Sequence, residues 1–69
     1  MERNRKVLTE LEEMFTPREL SIALGMSYEW TRKKLQRRQI SYVKLGRSVR
    51  IPRSEAARLI RENTVPATE

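Results

Sequence analysis

The residues of this chain that could carry chemistry are its cations. Fifteen Lys and Arg residues stand against nine acidic residues, all of them Glu, which gives a formal net charge of +6 at pH 7. Residues 32–50 contain eight Lys and Arg and no acidic residue. A solvated helix surface ordinarily mixes the two signs in i,i+4 pairs, so a run of one sign indicates a polyanionic partner. The pattern favours nucleic acid over an acidic membrane face or a merely soluble basic surface.

Three residue types with catalytic or ligating side chains are missing, because the sequence has no His, no Cys and no Asp. Zinc sites built from Cys and His, disulfides and Cys- or His-based triads are therefore excluded. Since no acid–base pair or activated nucleophile is evident, we expect no enzymatic activity, no cofactor and no metal. The 69 residues suffice for one small core, and they contain no apolar run long enough for a membrane span. We expect a cytoplasmic protein.

Helical spacing and capping residues predict the elements that hold these cations. Residues 3–14 have the pattern of an amphipathic helix with an acidic cluster, Glu10, Glu12 and Glu13. Thr16 and Pro17 begin a capping box, which predicts a helix over residues 17–24 that buries Leu20, Ala23 and Leu24. Gly25 is the expected left-handed end of this helix.

A second and a last helix follow from the same signals. Ser27 caps a predicted helix over residues 28–38, with Thr31 and Leu35 on its buried side and a basic outer side. Two helices joined by a Gly-containing turn, the second of them basic, form the helix-turn-helix layout. A further helix is expected from Pro52 or Ser54 to about residue 63, with Ala56, Leu59 and Ile60 as its apolar stripe.

Residues 41–51 alternate between apolar and polar types, which predicts a β-hairpin. The buried face is expected to hold four residues, namely Val43, Leu45, Val49 and Ile51. Pairing Leu45 with Val49 requires the three-residue loop Gly46-Arg47-Ser48, since a two-residue loop places Arg50 opposite Val43. Tyr42, Lys44, Ser48 and Arg50 then share the outer face.

Three segments carry a resemblance to a known family: residues 15–20 (Phe-Thr-Pro-Arg-Glu-Leu), 24–27 (Leu-Gly-Met-Ser) and 44–51 (Lys-Leu-Gly-Arg-Ser-Val-Arg-Ile). Over roughly residues 15–61 the chain resembles the phage excisionases, small winged-helix proteins related to the DNA-binding domain of MerR-type regulators. The resemblance implies a mainly α fold with a small β-hairpin, a winged helix-turn-helix. The resemblance does not extend to the N-terminal helix, and the tail is expected because Pro66 prevents a helix from continuing. We therefore expect an N-terminal amphipathic helix (1–14), a winged-helix DNA-binding domain (15–63) and a flexible tail (64–69).

The function that this resemblance implies is that of a recombination directionality factor in the bacterial host. Such proteins bind repeated sites in a phage attachment region cooperatively and bend the DNA. They help the phage integrase to excise the prophage and disfavour its integration. The family places the second helix in the major groove and the hairpin, or wing, at the minor groove or its phosphates. Many relatives have Gly at the position of Arg38, so the second helix here is expected either to run on or to end in a strained conformation. Relatives often have a small residue at the position of Trp30, which here either contacts DNA or belongs to the core, and we favour the core.

The residues assigned to double-stranded DNA are Tyr28, Glu29, Arg32, Lys33, Gln36, Arg37, Lys44, Gly46, Arg47 and Arg50. Arg32 is the expected base reader, because a guanidinium can donate to guanine O6 and N7 together. Lys33, Arg37 and Lys44 are expected on phosphates, which set the register without reading sequence. Gly46 forms the turn, and Arg47 at its tip is expected to reach the minor groove or a phosphate.

Three of these assignments have two readings. Glu29 either accepts a hydrogen bond from cytosine N4 or stabilises the helix N-terminus through the helix dipole, which we favour. Tyr28 either reaches a phosphate or packs on the wing, and Arg50 either contacts DNA or stays in solvent. For assembly we expect head-to-tail association on DNA, with acidic Glu10, Glu12 and Glu13 of one protomer against Arg53 or Arg58 of the next.

Two other functions are compatible with the same features. The first alternative is a small MerR-like transcriptional regulator of phage or prophage genes, which uses the same winged helix. The second is a phage packaging or assembly component that uses the domain to tether DNA. Both classes ordinarily carry an additional dimerisation or oligomerisation segment, and residues 62–69 leave little room for one.

Overall fold

A computed structural model describes residues 13–68 of the chain. Three helices and three short strands follow one another in the order β1, α1, α2, β2, β3, α3, and the strands form one antiparallel sheet in the order β1-β3-β2. The part described is thus a small mixed α/β domain. The bounds are β1 Met14–Phe15, α1 Pro17–Leu24, α2 Tyr28–Gln36, β2 Val43–Leu45, β3 Ser48–Pro52 and α3 Arg53–Glu62.

Helix α1 begins and ends at the predicted residues because both ends are fixed by local hydrogen bonds. The Glu19 amide donates to Thr16 Oγ1 at 3.0 Å, and the Thr16 amide donates to Glu19 Oε1 at 2.9 Å, which completes the capping box. Gly25 has φ +69°, the left-handed conformation that glycine adopts without strain. The predicted capping box and left-handed end are confirmed.

Helix α2 begins as predicted, with the Trp30 amide donating to Ser27 Oγ at 3.1 Å, but it ends at Gln36 rather than at residue 38. The reason is Arg38, which takes φ +59°. Its amide donates to Leu35 O at 3.1 Å, and the next amide, of Gln39, donates to Lys34 O at 3.0 Å. This is a Schellman end built on a non-glycine residue, and of the two alternatives expected from the sequence it is the strained end that forms.

Strand β1 was not predicted from the sequence. Phe15 pairs with Ile51 and Met14 with Pro52, and the Arg53 amide donates to Glu13 O at 2.9 Å beyond the last pair. The expected helix over residues 3–14 is therefore wrong at Glu13 and Met14, neither of which is helical, since tertiary pairing with β3 overrides the local helical spacing. The rest of that expectation, with Glu10 and Glu12, lies outside the described residues.

The predicted hairpin forms, but its predicted register is wrong. Val43 pairs with Arg50, Lys44 with Val49 and Leu45 with Ser48, so the loop is the two residues Gly46-Arg47. Gly46 has φ +62°, and Arg38 is the single non-glycine residue with positive φ among residues 13–68. Positive φ at the first central position alone is the pattern of a type II′ turn, which closes two-residue hairpins. The register is thus set by the two-residue turn at Gly46, and it differs from the register that the alternation of apolar residues predicts.

This register changes which residues of the hairpin reach the core. Ile51 is buried, and Val49 and Tyr42 pack on the core, whereas Val43 is half-buried and Leu45 is 60% exposed on the opposite face. The buried centre consists of Leu20, Ile40, Ile51 and Ala56, with Phe15, Leu24, Leu35, Tyr42, Val49 and Leu59 packed around it. Ala23 and Ile60, both expected inside, are exposed. Across residues 13–68 no helix combines the length and the apolar character needed to cross a membrane.

Helix α3 is held to the rest of the domain by one buried carboxylate. Glu55, only 8% exposed, accepts the Ser41 amide at 2.8 Å and binds the Arg58 guanidinium through both of its oxygens. Arg58 also bonds Glu62 and the carbonyl of Gln39. The cluster therefore ties α3 to the segment that leads from α2 into the hairpin. These bonds also occupy Arg58, so Arg53, whose side chain is 72% exposed, is the more accessible of the two cations expected to meet a neighbouring protomer.

Candidate nucleic-acid interface

The outward side of α2 carries six of the residues assigned to DNA. Five are exposed, and the sixth, Arg32, has a side chain that is 43% exposed, so their polar ends are accessible to a ligand. The inward side is fixed by Thr31, which is completely buried, and by Leu35. Because these two positions point into the domain, the opposite side of the helix faces solvent over its whole length. The outward residues are Tyr28, Glu29, Arg32, Lys33, Gln36 and Arg37.

Tyr28 is held by a residue that the sequence did not single out. The guanidinium carbon of Arg18, on the first turn of α1, lies 4.2 Å from the centroid of the Tyr28 ring, within cation–π range. Tyr28 therefore packs against α1, and at 39% exposure it still presents an edge to solvent. Arg18 adds a cation beside the N-terminal end of α2. No periodicity identifies such a contact, because it joins two helices across a turn.

Glu29 and Arg32 form an ion pair one turn apart on α2. Arg32 Nη2 donates to Glu29 Oε2 at 2.5 Å, and Arg32 Nε donates to Glu29 Oε1 at 3.4 Å. Hydrogen bonding to Arg32 and its positive charge lower the pKa of Glu29, with a smaller contribution from the charge of Lys33. The carboxylate is thus an ionised acceptor engaged by a neighbouring side chain, an arrangement not foreseen in either reading of Glu29.

Trp30 lies on a flank of α2 between the buried and outward sides. It is half-buried, and the Lys34 ammonium is 5.5 Å from its ring centroid. The ring lines an apolar groove of about 280 Å³ together with Leu24, Met26, Leu59, Ile60, Asn63 and Thr64. The expected core role of Trp30 is therefore met only in part, since one of its faces borders this open groove.

The hairpin carries the remaining four residues assigned to DNA. Gly46 and Arg47 form the tip, and both are exposed. Lys44 pairs with Val49 and Arg50 pairs with Val43, so Lys44 and Arg50 lie on opposite faces of the hairpin. The expectation that they share one outer face is wrong, for the same reason that the register is. Arg50 is half-buried, and its guanidinium donates to Val49 O at 2.9 Å.

The cations of residues 32–50 differ from those of α3 in how they are neutralised. Within residues 13–68, Arg32 is the only one of the eight that forms a salt bridge. On α3, Arg53 and Arg58 are both paired with carboxylates, and Arg61 is the one cation of that helix with no such partner among the described residues. The seven unpaired cations of residues 32–50 lie on α2, its C-terminal turn and the hairpin, and they are Lys33, Lys34, Arg37, Arg38, Lys44, Arg47 and Arg50. Uncompensated cations on neighbouring segments produce a positive potential that concentrates a polyanion.

The position of these two cationic segments depends on anchors that the sequence did not reveal. The sequence pattern assigns no role to Glu55 or to Ile40. Glu55 holds the Ser41 amide just before the hairpin, and Ile40 is buried beside it in the chain. The signal in the sequence was weak: Glu55 adjoins Ala56 and precedes Leu59 by four residues, a carboxylate at the edge of an apolar stripe.

The chain matches no protein-family model, no curated protein and no solved structure with which it was compared. The assignment of this surface therefore depends on the residues, their geometry and their charge.

Proposed function

We propose that this protein is a sequence-specific DNA-binding and DNA-bending accessory factor for prophage excision, an excisionase, built on a winged helix-turn-helix. Helices α1 and α2, joined by the turn at Gly25, form the helix-turn-helix, and the β2–β3 hairpin forms the wing. The three sequence segments that resemble the excisionase family fall on the α1 cap, on this turn and on the hairpin. Each of these three features, the cap, the turn and the hairpin, positions residues that we propose to contact DNA.

The single observation that carries DNA binding is that seven of the eight cations in residues 32–50 have no carboxylate partner among the described residues 13–68. Phosphates along B-DNA offer the regularly spaced negative charges that such a set lacks internally. Lys33 and Arg37 lie one turn apart on the outward side of α2, and Arg47 stands at the hairpin tip. A helix and a separate tip are the two contacts that a winged helix makes with one duplex.

The proposed roles follow from side-chain chemistry. The outward side of α2 enters the major groove, where Arg32 donates to a guanine and Gln36 lies one turn further along the helix. Lys33, Arg37 and Lys44 bind phosphates, and Arg47 enters the minor groove or binds its phosphates. Tyr28, stacked under Arg18, contacts a phosphate with its exposed edge. Arg50 contributes long-range charge, since its guanidinium is already bonded to Val49 O.

Bending and assembly complete the proposed role. A single recognition helix and a single wing read a short site, so specificity requires several protomers on tandem repeats. Weak contacts between neighbours suffice there, because a shared duplex gives them a high effective concentration. The bent complex then recruits the phage integrase for excision and disfavours integration.

The first test of the proposal is the salt dependence of DNA binding. If five or six phosphates are neutralised, log affinity should fall with log salt concentration with a slope of about −5. The measurement is fluorescence anisotropy on a labelled duplex from a phage attachment region, between about 50 and 200 mM salt. Arg37→Gln should make the slope shallower, whereas Arg53→Gln, which removes the same charge from α3, should leave it unchanged. An affinity indifferent to salt would contradict the proposal.

The second test distinguishes excision from transcription. Gel shifts on an attachment region and on a phage promoter, at equal salt, compare the proposed function with the alternative of a small MerR-like regulator. We expect tighter, cooperative binding to the attachment region and stimulation of integrase-dependent excision in vitro. Preferential binding to the promoter, with no effect on excision, would support the regulator instead.

A further inference from the structure

The Glu29–Arg32 pair leaves one edge of the guanidinium free. A guanidinium has five N–H donors, one on Nε and two on each Nη nitrogen. Glu29 accepts from Nε and from one N–H of Nη2. The remaining N–H of Nη2 and both of Nη1 stay available, and they form the end-on edge of the group. This edge has the spacing that matches the O6 and N7 acceptors of guanine in the major groove.

The pair also determines where that free edge points. An Arg side chain has several rotatable bonds, so an unheld guanidinium samples many directions. Two hydrogen bonds donated to a carboxylate one turn earlier on the same helix restrict the guanidinium to the side of α2 that Glu29 occupies. Residues 29 and 32 both lie on the outward side of α2, away from buried Thr31. The guanidinium is therefore held on the outward side of α2, where its side chain is 43% exposed.

We propose that Glu29 is a positioning residue that holds the Arg32 guanidinium so that its free Nη1–Nη2 edge selects guanine in the DNA site. The inference rests on the proposed function and deepens it, because it specifies a G·C pair opposite the first turns of α2. Glu29 itself does not touch the base. The negative charge of Glu29 near the duplex lowers the affinity for every DNA sequence alike. Its benefit is to selectivity, because it holds the Arg32 guanidinium in place.

This role makes the opposite prediction from a phosphate role for Arg32. If Arg32 left Glu29 to bind a phosphate, removing the carboxylate would simply release a cation, and binding to all sequences would tighten with no loss of selectivity. If Glu29 positions Arg32, removing the carboxylate tightens non-specific binding and at the same time reduces the preference for guanine. The two roles are distinguished by the guanine ratio, which is the affinity for the duplex with guanine divided by the affinity for the same duplex with an altered guanine, both measured with one protein preparation.

The experiment uses the full chain and a duplex selected by the wild-type protein from a randomised pool. Each guanine in the selected site is replaced in turn by 7-deazaguanine, which lacks the N7 acceptor and keeps its Watson–Crick pairing. For wild type we expect one guanine whose replacement weakens binding by about tenfold, within the range for a lost base contact. For Glu29→Gln the same replacement should weaken binding by less than about threefold, and Glu29→Asp should restore part of the ratio.

Two further variants serve as controls. Glu62→Gln removes the same charge from an exposed residue of α3 and should leave the guanine ratio at its wild-type value. Arg32→Ala should abolish the dependence on this guanine, which Glu29→Gln only reduces. A Glu29→Gln variant that retains the full tenfold ratio overturns the inference while leaving DNA binding intact. Failure of the wild type to select any sequence would instead overturn the proposed function, so the two failures are distinguishable.

Discussion

Ser21 Oγ and Thr31 Oγ1 lie 2.6 Å apart in the buried contact between α1 and α2. Ser21 Oγ also bonds the Pro17 carbonyl at 2.9 Å, and a hydroxyl has a single hydrogen to donate. Thr31 is therefore the donor to Ser21, and this hydrogen bond fixes how the two helices cross. The outward side of α2 is set by that crossing, so a small polar contact in the core positions the candidate interface.

This arrangement predicts a non-additive pair of substitutions. Ser21→Ala leaves the completely buried Thr31 hydroxyl without its partner and should cost about 1–3 kcal/mol of unfolding free energy. Thr31→Val keeps the shape and should cost about 1 kcal/mol, since Ser21 still donates to Pro17. The double variant should lose less than the sum of the two, because neither polar partner then remains. Urea unfolding of the four proteins measures the coupling, and strict additivity would contradict it.

The features predicted correctly from the sequence are those decided within four or five residues. Thr16, Gly25 and Ser27 each fix a helix end through bonds to their own neighbours, and each was identified from residue type and spacing. The last helix was predicted to within one residue at its end for the same local reason.

The features that were missed depend on contacts between distant segments. Strand β1 exists because Phe15 meets Ile51, thirty-six positions later in the chain, while its own neighbourhood has helical spacing. The register of the hairpin depends on the φ of Gly46, which alternation alone does not determine. Glu29 and Arg32 are three positions apart on one predicted helix, a spacing at which an ion pair can form, yet the sequence-based interpretation gave each residue a separate role.

Arg38 provides a second prediction, because a non-glycine residue at φ +59° is strained. Arg38→Gly should raise the unfolding free energy by about 0.5–1 kcal/mol, the gain from relieving the strain less the entropy that glycine adds to the unfolded chain. The matched control is Arg37→Gly, which removes the same charge at φ −86° and should be destabilising. Thermal melts of both variants suffice, and equal effects of the two would show that Arg38 carries no strain.

Glu55 provides a pH-dependent prediction. The hydrogen bonds from Arg58, supported by the Ser41 amide, hold the pKa of Glu55 below its ordinary value of 4.5 despite its burial. A carboxyl whose pKa is lowered by folding contributes its full stability above the unfolded-state pKa and loses it as pH falls through the lowered pKa. Glu55→Gln should therefore cost about 1–3 kcal/mol at pH 7 and progressively less below about pH 4.5.

The control for this measurement is Glu62→Gln, which removes the other carboxylate bonded to Arg58. Glu62 has a side chain 58% exposed, so its loss should change stability little at any pH. The measurement is the unfolding free energy of the wild type and of both variants, determined by denaturation at several pH values between about pH 2 and pH 7. A Glu55→Gln deficit that stays constant down to pH 2 would mean that the ion pair is not its source.

Lys44 tests the assignment of phosphate contacts. Its side chain is exposed on β2, where it pairs with Val49 and has no carboxylate partner within residues 13–68. Lys44→Ala should weaken binding to all DNA sequences about equally and make the salt slope shallower by about one. The measurement repeats the salt titration on a selected and on an unrelated duplex. A change confined to the selected duplex would mark Lys44 as a base reader.

Substitutions at the tip of the hairpin distinguish a DNA-binding residue from a structural one. Arg47 is the exposed second residue of a two-residue turn, and a charged side chain there covers no core surface. Arg47→Ala should therefore weaken DNA binding while leaving the thermal midpoint almost unchanged. Gly46→Ala is the complementary variant: its added methyl group meets no atom within 4 Å, but φ +62° strains any side chain, so the midpoint should fall. If Arg47→Ala lowers the midpoint as much as Gly46→Ala does, Arg47 stabilises the turn, and the tip is not a free contact for DNA.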